Sequence, residues 1–160
     1  MAVILVTGMS GTGKSTVLDL LAQNGYRTVD TDHGDWIDRT GEPLWREDLL
    51  GELIAEHERS GRPLFIAGTV ANQAVFYARF DEIVLLSAPI DTILERVASR
   101  TGNPFGKTEE ERNRIIADTR EIEPLLRGPA TAEIDTRQPL NAVLDQLAAL
   151  AGAPDLRSST

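Results

Sequence analysis

Short apolar runs alternate with segments of helical periodicity along the whole chain. Residues 2–7 (AVILVT) form a β-rich, almost fully apolar run, which is typical of a buried parallel strand. Four further apolar runs predict strands at 26–29, 63–67, 83–86 and 131–135. Apolar residues at helical spacing predict helices over 15–22, 47–60, 71–78, 91–97, 109–126 and 139–150. Because strands that alternate with helices build a parallel sheet covered on both faces, we predict a single α/β domain over residues 1–151.

Composition narrows the class of protein. The chain has 160 residues, of which 41% are hydrophobic, enough for one domain with its own core. It has no cysteine, which excludes disulfides, thiolate metal sites and a cysteine nucleophile. No apolar run approaches the roughly 20 residues of a membrane span, and no basic segment precedes the first strand as in a signal peptide. We therefore expect a cytoplasmic protein, with residues 152–160 as a flexible C-terminal tail.

The charge balance is acidic. Asp and Glu number 25 against 16 Lys and Arg, which gives a net charge of −9. This charge argues against nucleic acid or an anionic membrane as a partner. Only Lys14 and Lys107 are lysines. Any anion site must therefore be local, built from one lysine, a few arginines and backbone N–H groups.

Residues 8–15 (GMSGTGKS) match the phosphate-loop pattern G-x-x-x-x-G-K-[ST] at every specified position. A predicted strand precedes the segment and a predicted helix follows it, as the motif requires. The glycines allow backbone N–H groups to curl around a phosphate chain at a helix N-terminus. We expect Lys14 to reach the β- and γ-phosphates and Ser15 to ligate Mg²⁺, whereas Thr16 either packs in the helix or contacts the α-phosphate. The predicted ATP-binding residues here are Gly8, Ser10, Gly11, Thr12, Gly13, Lys14, Ser15 and Thr16.

The phosphate loop alone does not identify a reaction. The N-K-x-D motif that reads guanine is absent, because neither lysine lies in one, and the chain is too short for the appendages of a motor. Asp30 and Asp32 instead follow the second predicted strand, which we expect to lie adjacent to the first. One carboxylate can then hold Mg²⁺ through its waters, and the other can orient an attacking hydroxyl. The alternative is an ordinary Asp-Thr-Asp turn.

At this point the sequence resembles the shikimate kinase and adenylate kinase branch of the phosphate-loop small-molecule kinases. The matching pieces are GMSGTGKST, VDTD, GEPLWR at 41–46, LER at 94–96 with Arg100, and IDT at 134–136, over residues 1 to about 150. The resemblance implies a three-layer phosphate-loop fold with a five-stranded parallel sheet, a small lid, and use of ATP and Mg²⁺. Carried over residue by residue, Asp30 would serve Mg²⁺, Asp32 would bind and polarise the acceptor, and Arg46 would hold an acceptor anion.

The acceptor region, about residues 33–60, departs from shikimate kinases in two places. The stretch between Asp32 and Arg46 is shorter, and AGTVANQ at 67–73 replaces an expected run of three glycines. Gly68 would let the acceptor approach closely, with Asn72 or Gln73 bonding to it, since ligands bind at this end of parallel strands. In the alternative, Thr69 caps a helix that carries Asn72 and Gln73 on an exposed face. His33, beside Asp32, is a further candidate for contact with the acceptor.

A lid is predicted at about residues 101–108, where glycine and proline interrupt the chain after the helix that begins at Asp91. Arg96 and Arg100 share one face of that helix, and in related kinases such arginines neutralise charge on the transferred phosphoryl group. A solvated helix face is the alternative. The resemblance also places Thr136 and Arg137 beside the adenine, although a plain strand-to-helix turn explains them as well.

These features predict an enzyme that transfers the γ-phosphoryl group of ATP, with Mg²⁺, to a hydroxyl or phosphate of a small molecule. A nucleoside monophosphate kinase is one alternative, in which Arg46 meets the acceptor's phosphate. A nucleotide-binding regulatory ATPase with slow hydrolysis is another. The expected partners are ATP and a small-molecule phosphoryl acceptor, with no nucleic acid and no membrane, while the acceptor and the oligomeric state stay open.

Overall fold

The computed structural model describes residues 3–9, 11–99 and 107–152. Its helices and strands follow the predicted order and add one small hairpin. In chain order they are β1 (Val3–Thr7), α1 (Lys14–Gln23), β2 (Arg27–Asp30), β3 (Ile37–Asp38), β4 (Leu44–Trp45), α2 (Glu47–Ser60), β5 (Leu64–Ala67), a 3-10 helix (Gln73–Arg79), β6 (Glu82–Ser87), α3 (Ile90–Ser99), α4 (Glu109–Arg127), β7 (Ala132–Asp135) and α5 (Leu140–Leu150).

Five strands form one parallel sheet in the order β2-β5-β1-β6-β7, which places β1 at the centre. Successive side chains of a strand point to opposite faces, so β1 contributes to two cores. Ile4 and Val6 pack with residues of α1 and α5 on one face, and Val3 and Leu5 pack with residues of α2 on the other. The prediction of a five-stranded parallel α/β fold with helices on both faces is confirmed.

One expectation about the sheet is wrong: β2 is not adjacent to β1. Strand β5 lies between them, since Leu64 is in register with both Val3 of β1 and Arg27 of β2. The composition explains the order. All four residues of β5 are buried, as suits an interior strand, whereas β2 begins with the exposed Arg27 at the edge of the sheet.

The predicted acceptor region folds as the β3–β4 hairpin followed by α2. The two strands of the hairpin are two residues long and antiparallel, and it is anchored by Trp45, which is 2% exposed. The Trp45 indole N–H donates to Thr31 Oγ1 at 3.0 Å, and this hydroxyl donates to the Ala67 carbonyl at 2.7 Å. Phe76 meets the indole edge-on. The segment predicted as a helix over 71–78 is the 3-10 helix.

Gly68 follows β5 directly beneath this hairpin. A Cβ placed on it would collide with Thr31 Oγ1 and would lie 3.0 Å from Trp45 Cζ2. The absent side chain therefore makes room for the indole and the threonine of the same protein.

Among the described residues, no helix combines the length and the apolar character needed to cross a bilayer.

We expect Gly68→Ala to lower the free energy of unfolding by about 1–3 kcal/mol, because the added methyl must displace the buried Thr31 hydroxyl and press on the Trp45 indole. Urea titration followed by circular dichroism measures this change. Gly51→Ala in α2 is the matched control: its Cβ meets no atom closer than 3.7 Å, and removal of a helical glycine adds up to about 1 kcal/mol. Equal stability of Gly68→Ala and the wild type would contradict the packing described here.

Candidate active site

The phosphate loop connects the end of β1 to the start of α1. Gly11 and Gly13 adopt left-handed φ angles of 85° and 95°, which only glycine adopts at low cost. Helix α1 begins at Lys14 with no side chain capping it. The N–H groups of its first turn therefore point toward the loop without a side-chain acceptor, as required for binding an anion.

A cavity of about 930 Å³ opens above this loop. It contains nine residues predicted from the sequence as site residues: Gly8, Gly11, Gly13, Lys14, Ser15, Thr16, Asp32, His33 and Arg96. It also contains four that were not predicted: Met9, Thr69, Val97 and Ile122. Thr12, also predicted, is buried beneath the loop, and its hydroxyl donates to the Met9 carbonyl at 2.7 Å. The volume lies in the range of sites for small molecules.

Lys14 lies folded over its own loop. Its Nζ donates to the carbonyl of Gly8 and, at 3.2 Å, to that of Met9. Burial lowers the pKa of Lys14 to about 8, and the negative charges of Asp32 and Asp30 act in the opposite direction. The ammonium is therefore held in a poorly solvated position where a phosphate would stabilise its charge.

The residues proposed for Mg²⁺ are in contact. The Ser15 hydroxyl donates to Asp30 Oδ2 at 2.8 Å, and Asp30 Oδ1 accepts from the backbone N–H of Asp32 at 3.1 Å. A hydroxyl and a carboxylate are ligands that Mg²⁺ accepts, with water and phosphate completing its shell. Within the described ranges no three His, Cys, Asp or Glu residues cluster as a metal site. The residues therefore fit the ion, which when bound would neutralise phosphate charge.

Asp32 and His33 extend the site away from the loop. Both are exposed and line the cavity, and the His33 Nε2 lies 3.9 Å from Asp30 Oδ2 with its side chain 80% exposed. Their side chains are thus accessible to a second molecule beside the phosphates. Roles in binding the acceptor stay predictions for both.

Arg96 is not on a solvated helix face. Its guanidinium donates to the Gly11 carbonyl at 3.3 Å, to Thr136 Oγ1 at 2.8 Å and to the Thr136 carbonyl at 2.9 Å. It therefore ties the phosphate loop to the loop after β7, where adenine contacts are predicted. Thr136 is buried, whereas Arg137 is exposed and paired with Asp135 at 2.7 Å. Ser10, Arg100 and residues 101–106 of the predicted lid lie outside the described residues.

Three predicted acceptor residues lie apart from the described lining of the cavity: Arg46, Gly68 and Asn72. The Asn72 side chain instead bonds to the backbone of Trp45: it accepts from the Trp45 N–H at 2.9 Å and donates to the Trp45 carbonyl at 3.0 Å. Arg46 precedes α2 and its backbone N–H donates to the Trp36 carbonyl. Gln73 is buried, which contradicts the alternative of an exposed helix face. The hairpin packs onto the 3-10 helix through Trp45 and Phe76, and Asn72 and Gly68 lie beside this contact.

The unpredicted lining residues differ in the signals they give. Thr69 follows β5 at the end of the sheet where ligands bind, and the sequence left open whether it lies at a ligand site or caps a helix. Val97 lies one residue beyond Arg96, on the apolar face of α3. Ile122 comes from α4, and no local pattern connects it with a loop more than a hundred residues earlier.

Known proteins resemble the chain in sequence and in fold. The sequence matches the AAA domain family over residues 4–117. A nucleotide-binding protein of Pseudomonas fluorescens is 29% identical over 144 residues, which cover 81% of this chain and 46% of that protein. The chain thus spans about half the length of the curated relatives it matches.

Solved kinase structures share the fold. Shikimate kinase from Acinetobacter baumannii, solved with shikimate, superposes with a TM-score of 0.62 and 21% identity, covering 98% of this chain and 96% of that one. A gluconokinase from Sinorhizobium meliloti gives a TM-score of 0.54 and 23% identity, covering 94% and 91%. The resemblance to phosphate-loop small-molecule kinases is therefore confirmed at the level of fold.

The lowered pKa of Lys14 predicts that nucleotide affinity depends on pH. Phosphate binds the ammonium form, so affinity is greatest below pH 8 and decreases by up to about tenfold per unit above it. Loss of the last proton of the terminal phosphate adds negative charge and would strengthen binding as pH rises, so a decrease in affinity above pH 8 reports the lysine. Calorimetric titration of ATP between pH 7 and 9.5 measures the dependence. A flat profile would contradict the buried, partly neutral lysine.

Asp32→Asn should move the midpoint of this profile to lower pH, because the carboxylate raises the pKa of Lys14. Asp35→Asn is the matched control. It removes the same charge three residues away, from a side chain that faces a separate groove between β2 and α2. An identical shift in both variants would show that the effect comes from overall charge and not from Asp32.

Proposed function

The chain belongs to the AAA domain family, and from its site we propose that it is an ATP-dependent phosphotransferase acting on a small molecule. The observation that carries the proposal is that one cavity contains both the phosphate loop with Lys14 and the exposed pair Asp32 and His33. A nucleotide-binding loop alone needs no accessible carboxylate at that position. A kinase does, because the acceptor hydroxyl must be oriented beside the γ-phosphate.

The proposal gives each of these residues a role. Lys14 and the free N–H groups of α1 would hold the phosphates, with Ser15 and Asp30 beside the position of Mg²⁺. The acceptor oxygen forms a bond to the γ-phosphorus while the bond from that phosphorus to the β-bridging oxygen breaks, and ADP leaves. Asp32 would orient the acceptor hydroxyl and take its proton. The protein itself forms no covalent bond in this step. It accelerates the reaction by aligning the acceptor with the γ-phosphate and by stabilising the charge of the transition state.

Two alternatives differ in what supports them. A regulatory ATPase with slow hydrolysis is favoured by the name of the curated relatives, nucleotide-binding protein, in which this chain matches about half the length. A nucleoside monophosphate kinase would need Arg46 at the acceptor's phosphate, and Arg46 is apart from the described cavity lining. The structural neighbours named shikimate kinase and gluconokinase favour transfer to a small hydroxylated compound.

The first experiment is a screen for ATP consumption with Mg²⁺ over shikimate, gluconate, other small hydroxy acids and nucleoside monophosphates. Lys14→Ala serves as the blank, because removal of the ammonium leaves the phosphates without their side-chain cation. We expect at least one acceptor to raise the rate of ADP formation in the wild type and not in the blank. ATP binding with no acceptor-dependent turnover across the screen would favour the regulatory ATPase.

Asp32→Asn separates the two classes directly. For a phosphotransferase we expect about a 10²- to 10⁴-fold loss of kcat, the contribution typical of a positioned proton acceptor, with ATP affinity near neutral pH changed far less. The control Asp35→Asn should retain the wild-type rate, since it faces the separate groove. Unchanged turnover in Asp32→Asn would eliminate this residue as the proton acceptor.

A further inference from the structure

Thr69, which lies two residues after β5, hydrogen-bonds to the phosphate loop. Its hydroxyl donates to the Gly8 carbonyl at 2.7 Å and accepts from the Gly8 N–H at 3.3 Å. Strands β1 and β5 are paired in parallel, so their carboxyl ends meet and bring residues 61 positions apart into contact. One side chain therefore hydrogen-bonds to both the carbonyl and the N–H of the first glycine of the loop.

The Thr69 hydroxyl also belongs to a chain of buried polar groups that includes Thr7 and Gln73. Gln73 Nε2 donates to Thr7 Oγ1 at 3.3 Å, and Thr7 Oγ1 lies 3.0 Å from Thr69 Oγ1. Each hydroxyl has one proton, and that of Thr69 goes to the Gly8 carbonyl, so Thr7 donates to Thr69. Thr7 and Gln73 are 0% and 2% exposed. The Thr69 hydroxyl is thus oriented before any ligand binds.

The Gly8 carbonyl has two donors in this structure, Thr69 Oγ1 and Lys14 Nζ. When a phosphate binds, the Lys14 ammonium must turn from this carbonyl toward the phosphate oxygens. If Lys14 were its only donor, the carbonyl would then be left buried without a partner, which disfavours phosphate binding. Thr69 keeps it hydrogen-bonded after Lys14 moves.

We propose that Thr69 is a positioning residue of the phosphate site: its hydroxyl holds the Gly8 peptide in place and keeps the Gly8 carbonyl paired, which releases Lys14 to bind the phosphates. Thr69 acts through Gly8 and Lys14 and not on the reacting atoms. The inference rests on phosphate binding at Lys14, which is part of the proposed function. It adds a role for a residue that the loop motif does not contain.

The test compares Thr69→Val with Thr69→Ser. Valine keeps the shape and removes the hydroxyl, so we expect the dissociation constants of ATP and of inorganic tripolyphosphate to rise together by about 5- to 100-fold. Serine keeps the hydroxyl and should restore affinity to within about threefold of the wild type. Thr28→Val in β2 is the matched control for a threonine-to-valine change outside the cavity. Thermal unfolding of each variant verifies that it folds.

A double-mutant cycle distinguishes positioning from general damage to the structure. In a Lys14→Ala background the effect of Thr69→Val on tripolyphosphate binding should be smaller, because no ammonium remains to be released and only the hold on the Gly8 peptide is lost. NMR titration reaches the millimolar dissociation constants that this variant requires. An effect of the same size in both backgrounds would overturn the inference, and so would loss of affinity in Thr69→Ser.

Binding by the wild type and by Thr69→Val separates the role of Thr69 from the proposed function. If the wild type binds neither ATP nor tripolyphosphate, both are overturned. If the wild type binds them and Thr69→Val binds within twofold of it, only the role of Thr69 is overturned, and phosphate binding at Lys14 stands.

Discussion

The parallel pairing of β5 with β1 is the interaction on which the site depends. It brings the ends of both strands to the same edge of the sheet, so that Gly8 and Thr69 come into contact. On its other side β5 pairs with β2, and the same register places Asp30 opposite Ala67. Asp30 lies two strands from β1 and still accepts the Ser15 hydroxyl. One apolar four-residue strand thus positions both halves of the phosphate site.

The main helices and strands could be predicted from local patterns in the sequence. A buried helix face repeats apolar residues about every 3.6 positions, and a strand buried on both faces is a continuous apolar run. The phosphate loop was predictable for a similar reason, since its glycines and its lysine satisfy backbone and charge requirements within eight residues. The expectation that β2 lies beside β1 was wrong, because strand pairing joins residues far apart in the sequence and local periodicity does not indicate which strands are neighbours. The hairpin was missed because strands of two residues show no alternation.

Local sequence also could not tell which polar residues of the predicted acceptor site reach the cavity. Thr69 and Asn72 are three positions apart after β5, and both are polar residues at the end of a strand. The turn that follows sends Thr69 toward Gly8 and Asn72 toward the backbone of Trp45. Which of them reaches the cavity depends on how the hairpin packs, and that packing is decided by Trp45 and by the space at Gly68. Residue type alone cannot separate the two.

The unusual amine at the centre of the site also has a chemical consequence. With a pKa of about 8, roughly a tenth of Lys14 is free base at pH 7, against less than a thousandth for an ordinary lysine. A nucleotide bound in the cavity would cover this amine. The rate at which an acylating reagent modifies Lys14 would therefore report whether the site is occupied.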